Sequence, residues 1–405
     1  MQETFRISVI LPTFNREAFL ADAIRSILTQ TMRPLDIVVV DDGSTDGTPE
    51  LCAQFALDVT YIRQANVGKL AAIATGLDRV SGNLIWIMDD DDIALPDALE
   101  NLLEPFARNP ALVLSYGRMT RFEDAETEEA EQDVAYPDDQ RPFLVQMMED
   151  CFVTGHPCVL VRRDALEALR PFDPKVIASV DYYLHLGVAQ QGPTAFVDSL
   201  VLRQRQHSGL RGPARSRYGE ADRNAKWIAH DAYLLKSMIA DLPLEAYLDA
   251  PPWAGRALEP GEQRRALIQK AVIAGRKKLW PEATAALRAA LELLPDSALD
   301  NAELRVLRGM LGSRYGIGEI HQSPDILTGL RDTCAAREDR TAILTALSRP
   351  LLHEIKIAQR ERDPIRAAQT IKCWSRLMDV RATGLALKSS IERNLTRAAS
   401  RMRLF

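Results

Sequence analysis

Four consecutive aspartates, Asp89-Asp90-Asp91-Asp92, follow the apolar segment Leu84–Met88. Adjacent carboxylates repel one another unless a cation neutralises them. Hard divalent ions such as Mn²⁺ or Mg²⁺ prefer oxygen ligands and readily bridge a diphosphate, whose charge they offset when it leaves. Capping of a helix that begins near Pro96 would explain Asp92 but not the whole cluster. The cluster therefore predicts a metal site for a phosphorylated ligand.

A second acidic segment closes the β-branched run Ile37–Val40. There Asp41 and Asp42 precede Gly43, and Asp42 at a strand end could accept hydrogen bonds from a base or a ribose. Gly43 and Gly47 permit tight turns, and turn chemistry alone would favour the same composition. Taken singly, this segment leaves the binding and turn interpretations equally open.

Strands and helices are expected to alternate through the first hundred residues. The apolar runs predict strands at 7–11, 37–40, 58–63 and 84–88, and helical spacing predicts helices at 17–28, 49–55 and 69–79. This order predicts an α/β fold with a parallel, doubly wound sheet. Ligands of such sheets bind outside the carboxyl ends of the strands, and both acidic segments lie at that edge.

The composition predicts a globular protein without a strong attraction for nucleic acid. The formal net charge is -6 and the pI about 5.7, so an anionic ligand must be held by local groups. The five cysteines have no zinc or disulfide spacing, which favours a reducing compartment. No signal peptide and no membrane-spanning segment are expected, so the predicted location is the cytoplasm.

The second half of the sequence is rich in Ala, Leu, Arg and Glu and predicts a helical domain. Within 264–294, two helical segments are interrupted at Trp280-Pro281, in a manner similar to tetratricopeptide hairpins, although no clean 34-residue period is present. The predicted domains are 1–214, with a donor part at 1–100 and an acceptor part at 101–214, and a helical domain at 215–405.

Two charged stretches allow more than one interpretation. The acidic stretch 123–139 is expected to be a solvated loop, with a lid beside the site as the alternative. The basic C-terminal stretch 388–405 is expected to be an ordinary terminal helix, with peripheral contact to an anionic membrane surface as the alternative.

Together the N-terminal segments strongly resemble family 2 glycosyltransferases, whose donor domain has the GT-A fold. The matching pieces, in order, are Ile7–Arg16, Val39–Thr48, Asn66–Lys69 and Asp89–Asp92 with the trailing Pro96. The resemblance implies an Asp-x-Asp motif, with Asp91 as the metal ligand and Asp89 nearer the ribose. The other residues that it assigns to the nucleotide-sugar site are Pro12, Thr13, Asn15, Arg16, Asp42 at the base, Lys69 and Asp90.

One departure concerns the helix after Gly68. Such enzymes often carry Arg or Asn there, where this chain has Ile73 and Ala74. A UDP-sugar is the favoured donor, but this departure leaves the donor less defined than the fold.

The resemblance continues more faintly from 154 to 210. His156 lies in a segment similar to the acceptor side, and Asp181 in one similar to the segment that supplies the catalytic base, with Val180 where the family often has Glu. A cap of the helix before Tyr182 would also explain Asp181. His207 matches a late Arg-x-His element that binds the metal or the diphosphate, although a lone histidine is as often structural. Arg203 and Arg205 could contact phosphate oxygens or be solvated.

The predicted function is that of an inverting, metal-assisted glycosyltransferase, with Mn²⁺ or Mg²⁺ as cofactor. The acceptor hydroxyl could belong to a saccharide, a lipid or a protein, and the oligomeric state is not predicted. A nucleotidyltransferase would need a glycine-rich basic loop after the first strand, where this chain has Pro12–Arg16 without glycine. A non-catalytic nucleotide-binding scaffold, with the helical half binding a partner, is the main alternative.

Overall fold

The computed structural model describes residues 4–123, 131–137, 141–206, 220–248 and 257–378. The chain divides into two compact units, one formed by 1–147 and 151–230 and the other by 148–150 and 231–405. The predicted domain boundary at residue 214, the residue His207 and the basic stretch 388–405 lie outside the described residues, as do parts of the acidic stretch.

The first unit is built on one nine-stranded sheet. Its order is β3-β2-β1-β4-β8-β6-β9-β5, and β7 pairs with β6. The strands are β1 (Ile7–Thr13), β2 (Asp36–Asp41), β3 (Thr60–Arg63), β4 (Leu84–Ile87), β5 (Ile93–Ala94), β6 (Leu114–Glu123), β7 (Gln132–Asp133), β8 (Val159–Arg162) and β9 (Thr194–Gln206).

Among the described residues, four of the eight neighbouring strand pairs are parallel, and these are the longer ladders of the sheet. β3, β2, β1 and β4 are parallel, and β9 runs parallel to β6, with register shifts between Gly117 and Met119. β8 runs antiparallel to both β4 and β6, and β5 antiparallel to β9. Every residue of β1 and β4 is buried, as continuous apolar runs in parallel strands require. The predicted mostly parallel α/β sheet is confirmed.

Helices cover both faces of this sheet. They are α1 (Glu17–Leu28), α2 (Thr48–Ala53), α3 (Lys69–Leu77), α4 (Ala98–Arg108), α5 (Phe143–Glu149), α6 (Arg163–Glu167) and α7 (Val180–Ala189), and α8 (Glu220–Asp241) crosses into the second unit. On one face α3 lies so close to β1 that a Cβ at Gly76 would meet the Ile10 side chain at 2.4 Å. On the other face the Ser115 hydroxyl of β6 donates to the Leu102 carbonyl of α4.

The described part of the second unit contains helices and turns only. Its helices after α8 are α9 (Pro260–Arg276), α10 (Trp280–Leu293), α11 (Asn301–Leu307), α12 (Gly318–Gln322), α13 (Asp325–Thr333), α14 (Arg340–Leu347), α15 (Arg349–Arg360) and α16 (Pro364–Leu377). The predicted interruption at Trp280-Pro281 coincides with the start of α10. The predicted all-α C-terminal part is confirmed. None of the described helices is both long and apolar enough to cross a membrane.

Candidate active site

The carboxyl ends of β1, β2 and β4 place most of the predicted site residues at one edge of the sheet. Thr13, the last residue of β1, is paired with Asp41, the last of β2, and Ile10 is paired with Ile87 at the end of β4. Parallel neighbours therefore bring the segments 12–16, 41–44 and 89–92 together, as the alternation of strands and helices predicts. Pro12 and Thr13 are both buried at the end of β1.

Two cationic side chains face the four aspartates. The Lys69 ammonium forms an ion pair with Asp89. The Arg16 guanidinium lies 3.8 Å from an oxygen of Asp90 and 3.7 Å from an oxygen of Asp91. Beside four carboxylates these two charges leave a negative excess, which is the condition that favours binding of a cation.

The protonation behaviour of the cluster reflects this excess. Burial, and then the charge of Asp91, raise the pKa of Asp90 to about 7, although Arg16 opposes the shift. Burial, followed by Asp91 and Asp89, raises the pKa of Asp92 well above its ordinary value. Burial opposes the charge on Lys69, but Asp89, Asp181 and Asp91 outweigh it and raise the pKa of that ammonium.

Asp92 does not cap the following helix, although its position before Pro96 in the sequence suggested that role. Helix α4 begins at Ala98, two residues later than expected, and Asp97 occupies its cap position. Asp92 is 2% exposed, and its Oδ1 accepts the backbone N–H of Arg205 at 2.9 Å. The long-range pairing of β5 with β9 therefore decides its partner, which the local sequence does not contain.

Arg205 holds the aspartate segment from the end of β9. Its Nε donates to the Asp91 carbonyl at 2.9 Å, and its guanidinium lies between the rings of Phe19 and Phe122 at 4.9 and 4.8 Å. A further ion pair joins it to Asp22 at 3.4 Å. The side chain is 5% exposed, so the expectation that Arg205 is solvated is wrong. Arg203 is 36% exposed and pairs with Glu131 at 2.6 Å.

Asp42 organises the loop that precedes α3. Its carboxylate accepts hydrogen bonds from the Gln64 side-chain amide at 2.8 Å and from the backbone N–H groups of Val67 and Gly68 at 3.0 and 2.7 Å. Gly68 has φ +104°, a conformation that L side chains rarely adopt. Asp42 is 3% exposed, and its direct contact with a base stays a prediction.

Asn15 joins the ends of β1 and β2. Its Oδ1 accepts the Thr45 N–H at 2.7 Å, while its own N–H donates to the Ser44 hydroxyl at 2.9 Å. Its φ of 54° is uncommon for a residue other than glycine, although asparagine tolerates it best. Asp41, which the sequence reasoning did not select, is fully buried and accepts from Ser44 N–H and the Tyr61 hydroxyl.

Asp181 lies in the first turn of α7, where a helix N-terminus favours a carboxylate. The N-cap is Ser179, so the alternative interpretation of Asp181 as the cap is wrong. Ser179 has φ 52°, a left-handed conformation that is costly for serine and typical of residues held in place near functional sites. Asp181 is among the charges that raise the pKa of Lys69, which also forms an ion pair with Asp89.

His156 is buried beneath the site. It is 2% exposed, its Nε2 has no hydrogen-bond partner among the described residues, and its ring lies 5.4 Å from that of His185. Burial holds its pKa well below the ordinary value, so the ring is neutral. Its contact with an acceptor stays a prediction, and so does the role of His207.

The donor set fits a divalent ion that is held partly by its ligand. Within the described ranges, no group of three His, Cys, Asp or Glu side chains converges as a closed metal cage. Ions such as Mg²⁺ are commonly bound through one or two carboxylates and substrate phosphates, with water completing the shell. The carboxylates of Asp89, Asp90 and Asp91 at an open sheet edge suit that mode.

Comparisons with known proteins agree on the N-terminal segment. Residues 8–170 match the sequence family described as Glycosyl transferase family 2. The chain is 39% identical over 124 residues to "Glycosyltransferase GlyA" of Streptococcus pneumoniae, covering 30% of this chain and 18% of that protein. It is 38% identical over 104 residues to the "GalNAc(5)-diNAcBac-PP-undecaprenol beta-1,3-glucosyltransferase" of Campylobacter jejuni, covering 24% of this chain and 34% of that protein.

Similar solved structures include S. aureus TarS 1-349, with a TM-score of 0.49, 13% identity and 93% of each chain covered. Another is the mannosyltransferase PcManGT from Pyrobaculum calidifontis, with a TM-score of 0.48, 18% identity, 86% of this chain and 88% of that one. The chain spans from 18% to 54% of the length of the first curated relatives that it matches.

Proposed function

We propose that residues 8–170, which match the model of Glycosyl transferase family 2, form such a domain, and that the chain transfers a sugar from a nucleotide-diphosphate donor to an acceptor hydroxyl with inversion at the anomeric carbon. The observation that carries this proposal is one sheet edge that combines an under-neutralised aspartate cluster, Arg16 and Lys69 with the separate carboxylate Asp181. Anion binding and proton removal thus have distinct groups.

The donor side would bind the nucleotide diphosphate through charge and backbone shape. Asp91, with Asp89 and Asp90 beside it, would hold a divalent ion, Mn²⁺ or Mg²⁺. When bound, such an ion supplies Lewis-acid neutralisation of the leaving diphosphate. Arg16 would turn from the carboxylates toward a phosphate oxygen once that charge is neutralised. The loop that Asp42 organises would border the base, with Pro12, Thr13 and Asn15 at the floor of the pocket.

The acceptor side requires one base. As the acceptor oxygen forms its bond to the anomeric carbon, the bond from that carbon to the diphosphate oxygen breaks, and the hydroxyl proton passes to the Asp181 carboxylate. Single displacement from the face opposite the leaving group gives inversion.

The names of the relatives support an acceptor that carries sugar. The Campylobacter protein is named for a glucosyl transfer to an undecaprenol-linked saccharide, and a chondroitin synthase of Escherichia coli is 26% identical over 204 residues. We propose that the acceptor of this chain likewise carries sugar and that the transfer takes place in the cytoplasm. The five cysteines are all free and buried, which suits a reducing compartment.

The experiment that tests the donor site is a calorimetric titration of the whole chain with UDP, GDP and their sugar conjugates, with Mn²⁺ and with a chelator. We expect one nucleotide to bind with Mn²⁺ and binding to weaken by at least about tenfold under chelation. Absence of binding by any of them to the folded protein with metal would contradict the proposal and favour the scaffold alternative.

The matching variant is Asp91→Asn, which removes a metal-binding charge without changing side-chain size. We expect loss of the Mn²⁺-dependent part of nucleotide binding. Asp78→Asn is the control because Asp78 is an exposed carboxylate, paired with Arg170 at 2.7 Å outside the site. Equal binding by the Asp91 variant and the wild type would remove Asp91 from the metal site.

A further inference from the structure

Five aromatic side chains of the first unit form one cluster on β6 and β9. Ring centres are separated by 4.5 Å between Tyr116 and Phe143, by 5.2 Å between Tyr116 and Phe196, and by 5.6 Å between Tyr136 and Phe196. Phe152 packs against Tyr136 at 5.5 Å. Tyr116 and Phe143 are buried, whereas Phe196 is 41% exposed. A satellite core explains the inner rings but not the exposure of a phenylalanine on top of them.

The exposed side of the aromatic cluster carries a charged pair. The Arg118 guanidinium lies 5.2 Å from the ring centre of Phe196 and 5.7 Å from that of Tyr136. Arg118 forms an ion pair with Asp198, and these side chains are 43% and 73% exposed. The surface therefore combines apolar ring faces with hydrogen-bond donors and acceptors at their rim.

This surface lies on the sheet face that α7 covers. Tyr116 is paired with Val159, and Val159 lines a small cavity together with Leu184 and His185 of α7. Residues directly opposite each other on paired strands point to the same face of the sheet. Tyr116 therefore points, like Val159, to the side on which α7 packs. The aromatic cluster and the helix that carries Asp181 therefore share one side of the sheet.

A chain of contacts leads from the aromatic cluster to α7, the helix that carries Asp181. The next residue along α7, Tyr182, donates its hydroxyl to the Met147 carbonyl at 2.8 Å. Met147 lies one helical turn from Phe143, which is in the cluster.

We propose that Phe196, Tyr136 and the Arg118–Asp198 pair form a platform for a pyranose ring of the acceptor, one or a few sugar units from the hydroxyl that reacts. The inference rests on the proposed function and names the acceptor class of the same site. A pyranose has an apolar face of C–H groups and a rim of hydroxyls. Aromatic rings match the first at small entropic cost, and a guanidinium and a carboxylate match the second.

This chemistry distinguishes a saccharide from the other acceptor classes. A lipid chain would gain from the ring faces but would remove the Arg118–Asp198 pair from water without offering it any further hydrogen bond, which is unfavourable. A sugar ring satisfies both parts of the surface. The platform accordingly predicts that the acceptor is a saccharide or carries one.

The test uses the whole chain, Mg²⁺ as the diamagnetic ion and UDP, with saturation-transfer NMR to methyl glycosides of glucose, galactose, N-acetylglucosamine and N-acetylgalactosamine and to their β-linked disaccharides. We expect saturation transfer to at least one probe. The variants Phe196→Ala and Arg118→Met should each bind that probe roughly tenfold more weakly. Leu57→Ala is the matched control, because Leu57 is a fully exposed apolar residue beside the edge strand β3.

Titration with UDP distinguishes a failure of the sugar platform from a failure of the donor site. Normal UDP binding by Phe196→Ala together with lost sugar binding supports the platform. Normal UDP binding with sugar binding that no platform variant weakens, or with no sugar binding at all, overturns the platform but leaves the donor site standing. Absence of UDP binding in the wild type contradicts the proposed function itself and the platform with it.

Discussion

The two units treat buried charge in opposite ways. In the helical unit, Arg264 meets Glu303 through two hydrogen bonds of 2.8 and 2.9 Å, and Lys277 meets Asp231 at 3.1 Å, with all four side chains at most 8% exposed. Each buried cation there has its own carboxylate. At the sheet edge, four aspartates share Arg16 and Lys69, and the pKa values of Asp90 and Asp92 are raised.

The difference separates architecture from function. A buried charge with its own partner and satisfied hydrogen bonds stabilises one arrangement, and loss of a partner is costly. A cluster of like charges with too few partners is unfavourable until a ligand neutralises it. Such clusters are typical of binding sites, where function is retained at some cost to stability. Substitutions in the two regions should therefore change different measurements.

The largest expected effect is on turnover at Asp181. Asp181→Asn should lower sugar transfer by about 10²- to 10⁴-fold, because the amide cannot accept the acceptor proton. Nucleotide affinity should stay within about twofold, because the donor charges are untouched. Steady-state transfer assays beside calorimetric titration measure both, and Asp78→Asn serves as the control. Normal turnover by the variant would remove Asp181 as the base.

The next effect is on stability in the helical unit. Glu303→Gln should lower the free energy of unfolding by about 3 kcal/mol, because it leaves the Arg264 charge buried without its counter-charge. Urea unfolding followed by circular dichroism measures this change, and nucleotide affinity should not change. Glu282→Gln is the control, since the Lys236–Glu282 pair is long, at 3.8 Å, and partly exposed. Equal free energies of unfolding for the two variants would contradict the stabilising role of the buried Arg264–Glu303 pair.

A smaller effect should appear at Arg205, which we regard as a positioning residue for the Asp91 backbone. Arg205→Met keeps contact with Phe19 and Phe122 but removes the hydrogen bond to the Asp91 carbonyl. Affinity for Mn²⁺ in the presence of UDP should fall by about 10- to 100-fold, as for other groups that orient metal ligands. Arg203→Met, on the same strand but more exposed, should leave Mn²⁺ affinity unchanged. The same loss in both variants would indicate a general effect on the strand.

The smallest effect is expected at an exposed pair in the sheet unit. The Arg170 hydrogen bond lowers the pKa of Asp78, so this pair stabilises the fold above the unfolded pKa of about 3.9 and loses that contribution as the pH falls through the lowered value. Solvent screening limits the gain to about 0.5 kcal/mol. Thermal unfolding should show a small loss of stability in Asp78→Asn relative to the wild type at pH 7, and a smaller loss at pH 3. A large loss would show that burial is not what separates the two regions.

Local pattern was sufficient to predict the elements that position the candidate active site. The predicted helix at 17–28 coincides with α1, and the run before the aspartates became β4 with every residue buried. Their meeting at one edge also follows from the sequence, because parallel strands carry their carboxyl ends to the same side. Prediction was less accurate at the ends of elements, as the later start of α4 shows.

The amino-acid sequence was sufficient to predict the sheet, the acidic edge and the resemblance to a family, because each depends on periodicity or on residues adjacent in the chain. The hydrogen-bond partner of Asp92 and the burial of Arg205 and His156 could be read from the tertiary structure alone. The same is true of the aromatic cluster, which consists of Tyr116, Tyr136, Phe143, Phe152 and Phe196. The Asp92–Arg205 hydrogen bond joins residues 113 positions apart, and the Arg205–Asp22 pair joins residues 183 positions apart. Strand pairing between distant segments creates such contacts, and no local pattern records which distant segment will arrive.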